Sequence, residues 1–152
     1  MEGIFNPTGT STLATYSPQN EQEAWIAILH ASNAVDGDVA DEELDELTQT
    51  LVNKAMFDGH DILAYSKTAF LAQAKLGSKH LIDNSVEKIS PENKATLFAL
   101  TVQLVMADCV VTDKEEELIT YLYSALDLNT DLAHKIIEVV LILNKGNRCL
   151  SV

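Results

Sequence analysis

The sequence repeats itself with an offset of 72 residues, and this repeat limits the possible folds more than any other feature. Aligning residues 25–48 with residues 97–120 gives six identities in 24 pairs. In each copy an apolar stretch ends at an aspartate, and a second stretch begins at another aspartate with a glutamate two residues later. Such a repeat predicts two related helix-turn-helix halves. The identical pairs are Ala27/Ala99, Asp36/Asp108, Val39/Val111, Asp41/Asp113, Glu43/Glu115 and Thr48/Thr120.

Apolar residues recur at helical spacing along the chain, and no segment alternates over the length of a strand. Helix start and stop signals divide the chain into about seven helices and no sheet. These signals are a serine cap followed by proline at the first helical position, a Thr-x-x-Glu capping box, and glycine after a helix end. These signals and single N-cap residues occur at Ser17-Pro18, Asp41, Ile62–Leu76 with Gly77, Ser78, Ser90-Pro91, Thr112 with Glu115, and Asn129 or Thr130 with Gly146.

The length of 152 residues fits one domain, and the 47% hydrophobic content is enough for a buried core. We therefore predict an all-α fold with a flexible N-terminal arm at residues 1–16, a single helical domain at residues 17–146 and a C-terminal tail at residues 147–152. His30 lies on an apolar helix, so we predict a core or boundary position for its ring.

The composition excludes some classes of partner. The chain holds 23 Asp and Glu against 10 Lys and Arg, a net charge of −13. Nucleic acids and anionic membranes attract basic surfaces, so neither is an expected partner. No purely apolar run, Val139–Leu143 included, approaches the roughly 20 residues of a membrane span, so no membrane insertion is expected. The first 17 residues lack the pattern of a secretory signal, which predicts a cytoplasmic protein.

The acidic residues concentrate in the two bends of the repeat. Seven lie in residues 36–46, the first acidic elbow, and five lie in residues 108–117, the second acidic elbow. Carboxylate and carbonyl oxygens are the ligands that hard divalent ions prefer, so either elbow is a candidate metal site. The spacing excludes an EF-hand, because Leu47 stands where the twelfth position requires a glutamate. The candidate ligands are Asp36, Asp38, Asp41, Glu43, Asp108, Asp113 and Glu115.

The same acidic pattern has a second explanation. Acids in the first turn of a helix are stabilised by the helix dipole, each by roughly 0.3–1 kcal/mol, so an acidic elbow needs no ligand. A solvated acidic face and a metal site therefore both remain open.

Residues 34–43 and 106–115 resemble the acidic turns of the TerB-like tellurite-resistance family, and the likeness covers residues 20–146. The resemblance implies an all-helical cytoplasmic protein without established catalysis, whose acidic turns bind divalent metal. It implies this role for Asp36, Asp41, Glu43, Asp108, Asp113 and Glu115. Two residues depart from the family pattern, because Val35 replaces an alanine and Cys109 replaces a glycine.

We therefore expect a non-catalytic, metal-binding or metal-responsive module of a tellurite or stress-resistance system. Ca²⁺ or Mg²⁺ is the expected ion, with Zn²⁺ or Mn²⁺ as alternatives. The alternative function is a protein-interaction or co-chaperone-like adaptor that presents an acidic face to an unidentified protein partner without metal. The sequence has no Gly-rich phosphate loop, Gly-x-Ser-x-Gly turn or His-Glu-x-x-His motif, so we do not expect an enzyme.

Overall fold

The computed structural model describes residues 15–33, 49–106 and 111–146, and every regular element in these ranges is helical. The all-α prediction of about seven helices is confirmed for these residues. Short 3₁₀ turns at Ala55–Phe57, Val86–Lys88 and Pro91–Asn93 join some of the helices. The helices are α1 (Glu21–Asn33), α2 (described at residues 49–52), α3 (Ile62–Leu76), α4 (Ser78–Ser85), α5 (Lys94–Met106), α6 (Asp113–Ala125) and α7 (Thr130–Asn144).

Most of the predicted helix boundaries agree with the structure. Helix α3 has the predicted limits, and it ends at Gly77, whose φ of 90° is a conformation that favours glycine. The predicted capping box is present at Thr112 and Glu115. Of the two predicted caps of α7, Asn129 is the one observed, because its side chain accepts a hydrogen bond from the backbone N–H of Leu132.

The predicted start of α1 at Ser17-Pro18 is wrong, because the helix begins at Glu21. Asn20 caps it instead, with its Oδ1 accepting the backbone N–H of Glu23 at 2.8 Å. Glu23 Oε1 in turn accepts the backbone N–H of Gln19 at 3.1 Å. This exchange resembles a capping box shifted by one residue, and it fixes the helix start three residues after Pro18.

Residues just before α1 are tied to the rest of the fold. Tyr16, the last residue of the predicted arm, is buried, and its hydroxyl donates to Glu23 Oε2 at 2.7 Å. Burial and this hydrogen bond raise the pKa of Tyr16 above its usual range. The backbone N–H of Tyr16 donates to His80 Nε2 at 3.1 Å, which joins this segment to α4.

Helix α1 forms the centre of the core and packs against α3, α4 and α5. Every residue from 23 to 32 is buried, so no face of this stretch is open to solvent. The largest buried side chain is Trp25, which meets Phe57 edge-to-face with ring centroids 5.9 Å apart. His30 is only 3% exposed, which confirms its predicted core position.

The repeat is visible in the helices as well as in the sequence. Helices α1 and α5 each have 13 residues. When the 72-residue offset is subtracted, α5 corresponds to residues 22–34, which is one residue later than the observed limits of α1. The same offset places α6 on residues 41–53, of which the described residues 49–52 are helical. Helices α1 and α5 pack directly against each other, so the two copies meet through equivalent helices.

The two copies are also joined by hydrogen bonds to one carboxylate, at a place we call the repeat junction (Glu21, Trp25, Ser90 and Asn93). Glu21 Oε1 accepts the Ser90 hydroxyl at 2.7 Å, and Glu21 Oε2 accepts Asn93 Nδ2 at 2.8 Å. The Ser90 backbone N–H and Trp25 Nε1 each donate to Oε2 at 3.2 Å. Glu21, at the start of α1, thus accepts hydrogen bonds from the turn that precedes α5, the equivalent helix of the second half.

Candidate functional site

Most of the predicted metal ligands lie outside the described residues. Asp113 and Glu115 lie in the first turn of α6. Within residues 15–33, 49–106 and 111–146, no group of three or more His, Cys, Asp or Glu side chains could hold a metal ion. The metal site therefore stays a prediction. The candidates outside the described residues are Asp36, Asp38, Asp41, Glu43 and Asp108.

Glu115 has a structural role in the second elbow. Its backbone N–H donates to Thr112 Oγ1 at 3.1 Å, and its Oε1 accepts the Thr112 backbone N–H at 3.0 Å. The side chain is almost fully buried, at 9% exposure. This reciprocal cap explains a glutamate at this position without a ligand, whereas the neighbouring Asp113 is exposed.

Replacing Thr112 with alanine should lower the free energy of unfolding by about 1 kcal/mol, since the helix start loses its cap. Chemical unfolding followed by far-UV circular dichroism measures the change. Thr96→Ala is the matched control, because Thr96 is an exposed residue inside α5. We expect that variant to remain within about 0.5 kcal/mol of the wild type. Equal stability of Thr112→Ala and Thr96→Ala would show that the cap does not stabilise α6.

An apolar groove of about 870 Å³ lies between α6 and α7, and we call it the α6–α7 groove. The two helices make little contact along their lengths, because both pack on α5. One wall is a stripe of α6 residues spaced three or four apart: Asp113, Glu116, Glu117, Thr120, Tyr121 and Ser124. The apolar surface is formed by Met106, Val111, Ile119, Ile137 and Leu141.

The acidic wall of the groove is partly neutralised. Lys79 Nζ lies 2.8 Å from Glu117 Oε2, and this hydrogen bond and charge lower the pKa of Glu117. The same Lys79 lies 5.2 Å from the centre of the Tyr121 ring. Asp113 and Glu116 are exposed and form no ion pair with another described residue. The groove thus carries two acidic groups that are free to meet a positive ligand.

Tyr121 connects the groove to α4. Its hydroxyl donates to Asp83 Oδ1 at 2.6 Å, and this hydrogen bond raises the pKa of Tyr121. Together with the Lys79–Glu117 pair, it joins α4 to the α6 wall of the groove by two polar contacts.

Helix α7 exposes large aliphatic side chains on more than one side. The residues Val139, Leu141, Ile142 and Leu143 are 53%, 56%, 68% and 67% exposed. Leu141 faces the α6–α7 groove, while Val139 and Leu143 line a second apolar groove of about 430 Å³ between α5 and α7. Exposed large apolar side chains that cluster in this way are typical of interaction sites.

These exposed residues belong to the apolar run Val139–Leu143. Its all-round apolar character was the signal that could have directed attention to α7. No helix in the described parts of the chain is long and apolar enough to cross a membrane.

Comparison of the chain with known protein families, with curated proteins and with solved structures finds no match. The resemblance to the TerB-like family therefore stays a prediction that rests on the two acidic elbows.

Proposed function

We propose that this chain is a protein-interaction module that binds a basic partner protein through the exposed aliphatic side chains of α7. The observation that carries the proposal is the exposure of Val139, Leu141, Ile142 and Leu143, four aliphatic side chains within five residues. Covering one such side chain contributes roughly 1.5–3 kcal/mol when its burial is complete.

The charge of the chain favours a basic partner over a second copy. A net charge of −13 makes two copies repel each other at long range, whereas it attracts a positively charged protein and speeds their encounter. This attraction weakens at high salt, while the apolar contacts of α7 do not. The proposed binding therefore combines electrostatic attraction with a buried apolar contact.

The proposal is tested by photo-crosslinking in the cells that make the protein. A photoreactive amino acid replaces Ile142, the most exposed aliphatic residue of α7, and a matched variant carries it at Thr68, an exposed residue of α3. We expect discrete crosslinked products from position 142 and none from position 68. Absence of products at position 142, or the same products at both positions, would contradict the proposal.

A further inference from the structure

We propose that the partner segment is a basic amphipathic helix and that it binds in the α6–α7 groove. This inference rests on the proposed function and names the ligand and the place where it binds. Three properties of the groove support it, which are its length, its openness to solvent and the position of its acids.

The groove has the length of a short helix. Its α6 wall runs from Asp113 to Ser124, eleven residues apart, which corresponds to about 16 Å at 1.5 Å per residue. A partner helix of about three turns has the same length. A helix laid in a groove contacts it through residues spaced three, four and seven apart, and the wall presents side chains at this spacing.

The groove is open to solvent, which favours a macromolecular ligand over a small molecule. Several lining residues are themselves exposed, including Glu116, Thr120 and Leu141. A small ligand is normally buried over most of its surface in an enclosed pocket, whereas an open channel leaves one side of it in water. A helix covers such a channel with its apolar face and keeps its polar face in solvent.

The acids define the charge of the partner. Asp113 and Glu116 stand on the rim of the apolar surface, beside Glu117, which Lys79 neutralises. A helix with Leu-type side chains toward Ile137 and Leu141 would bring flanking Lys or Arg residues to these carboxylates. An acidic helix would meet like charges there, so the groove discriminates by charge as well as by shape.

The inference is tested with a fluorescent peptide of about 14 residues that forms a basic amphipathic helix. Fluorescence anisotropy measures its binding to the full-length protein. Two control peptides have the same length as the first. In one, every Lys is replaced by Glu, and in the other the residues are reordered so that the apolar face is lost. We expect saturable binding of the first peptide and at least about tenfold weaker binding of both others, a loss of about 1.4 kcal/mol or more.

Variants of the protein locate the peptide. Leu141→Gln removes an apolar groove residue, and Leu71→Gln is the matched control because Leu71 is a similarly exposed leucine of α3, at 60% against 56%. Glu116→Gln removes a rim charge, and Glu92→Gln is its control at an exposed site before α5. We expect weaker binding for Leu141→Gln and Glu116→Gln, and unchanged binding for both controls.

Three results would overturn the inference: equal binding of the scrambled or acidic peptide, wild-type affinity of Leu141→Gln, or no binding of any peptide. A fourth is a stable dimer in sedimentation that Leu141→Gln converts to a monomer, since the groove would then hold a second copy. If no peptide binds while position 142 still gives crosslinked products, the inference fails and the proposed function stands. If no peptide binds and position 142 gives no crosslinked products, the inference and the proposed function both fail.

Discussion

Replacing Glu21 with alanine is expected to lower the free energy of unfolding by about 3 kcal/mol, because hydrogen bonds to a charged acceptor contribute more than neutral ones. The variant leaves the donors of Ser90, Asn93 and Trp25 without their acceptor. It also removes the carboxylate that joins the two copies of the repeat. Chemical unfolding followed by far-UV circular dichroism gives the change in free energy.

Glu92→Ala is the control for this prediction, since Glu92 is an exposed acid in the turn at Pro91–Asn93 and has the same charge. Its stability should stay within about 0.5 kcal/mol of the wild type. If Glu21→Ala and Glu92→Ala lose the same small amount, the repeat junction does not stabilise the fold.

The pH dependence of this contribution follows from the pKa of Glu21. Partial burial raises that pKa, but the hydrogen bonds from Asn93, Ser90 and Trp25 outweigh burial and lower it overall. A carboxyl group with a lowered pKa in the folded state stabilises the fold above its usual pKa and loses this effect as the pH falls. The difference in stability between wild type and Glu21→Ala should therefore shrink in acid.

The second large effect is expected at His30, whose two ring nitrogens have no hydrogen-bond partner among the described residues. Burial lowers the pKa of His30 to about 4 from the usual 6.5, so the folded protein holds a neutral ring at pH 7. Below pH 6.5 the unfolded chain binds a proton that the folded chain does not. The free energy of unfolding should therefore fall by about 2 kcal/mol between pH 7.5 and pH 5, and by about 3 kcal/mol once the pH reaches 4.

The variant His30→Leu removes this titration, and the difference between wild type and variant isolates it from other groups. We expect the stability of His30→Leu to change less over the same pH range. His134→Leu is the control, because His134 is exposed on α7 and its replacement should leave the pH dependence in place. If the free energy of unfolding of His30→Leu falls with pH as steeply as that of the wild type, the buried ring does not cause the pH dependence.

Much of the fold was predictable because its signals are local. The limits of α3 follow from helical spacing and a terminal glycine, and the start of α6 follows from a capping box within four residues. The first cap was less predictable, because Ser17 and Asn20 both offer a side chain that can cap a helix. Asn20 Oδ1 accepts the backbone N–H of Glu23, and Glu23 Oε1 accepts the backbone N–H of Gln19, which together select Asn20 as the cap. The position of Glu23 also depends on its contact with buried Tyr16.

The repeat junction could not be predicted, since it depends on how the two copies pack. Glu21 and Asn93 are 72 residues apart, which is the offset of the repeat, but sequence identity does not indicate which equivalent residues touch. A serine and proline at Ser90-Pro91 predicted a self-contained helix start. In the structure, the Ser90 hydroxyl instead donates a hydrogen bond to the carboxylate of Glu21 on α1.

The candidate site was predictable only in part. Asp113 and Glu115 are predicted ligands, and the structure places Asp113 beside the groove and Glu115 in the cap. The exposure of the apolar side chains of α7 is not predictable from the sequence, because an apolar run normally indicates burial. Their exposure is a consequence of tertiary packing, since α7 lies at the edge of the bundle and packs chiefly on α5.

The central claim is that the exposed aliphatic side chains of α7 bind a basic partner protein. The most direct test identifies the segment that contacts position 142. Mass spectrometry of the product crosslinked at that position gives the sequence of the attached segment. The account predicts a segment of another protein with an excess of Lys and Arg over Asp and Glu. An acidic segment, or a segment of a second copy of this chain, would contradict it.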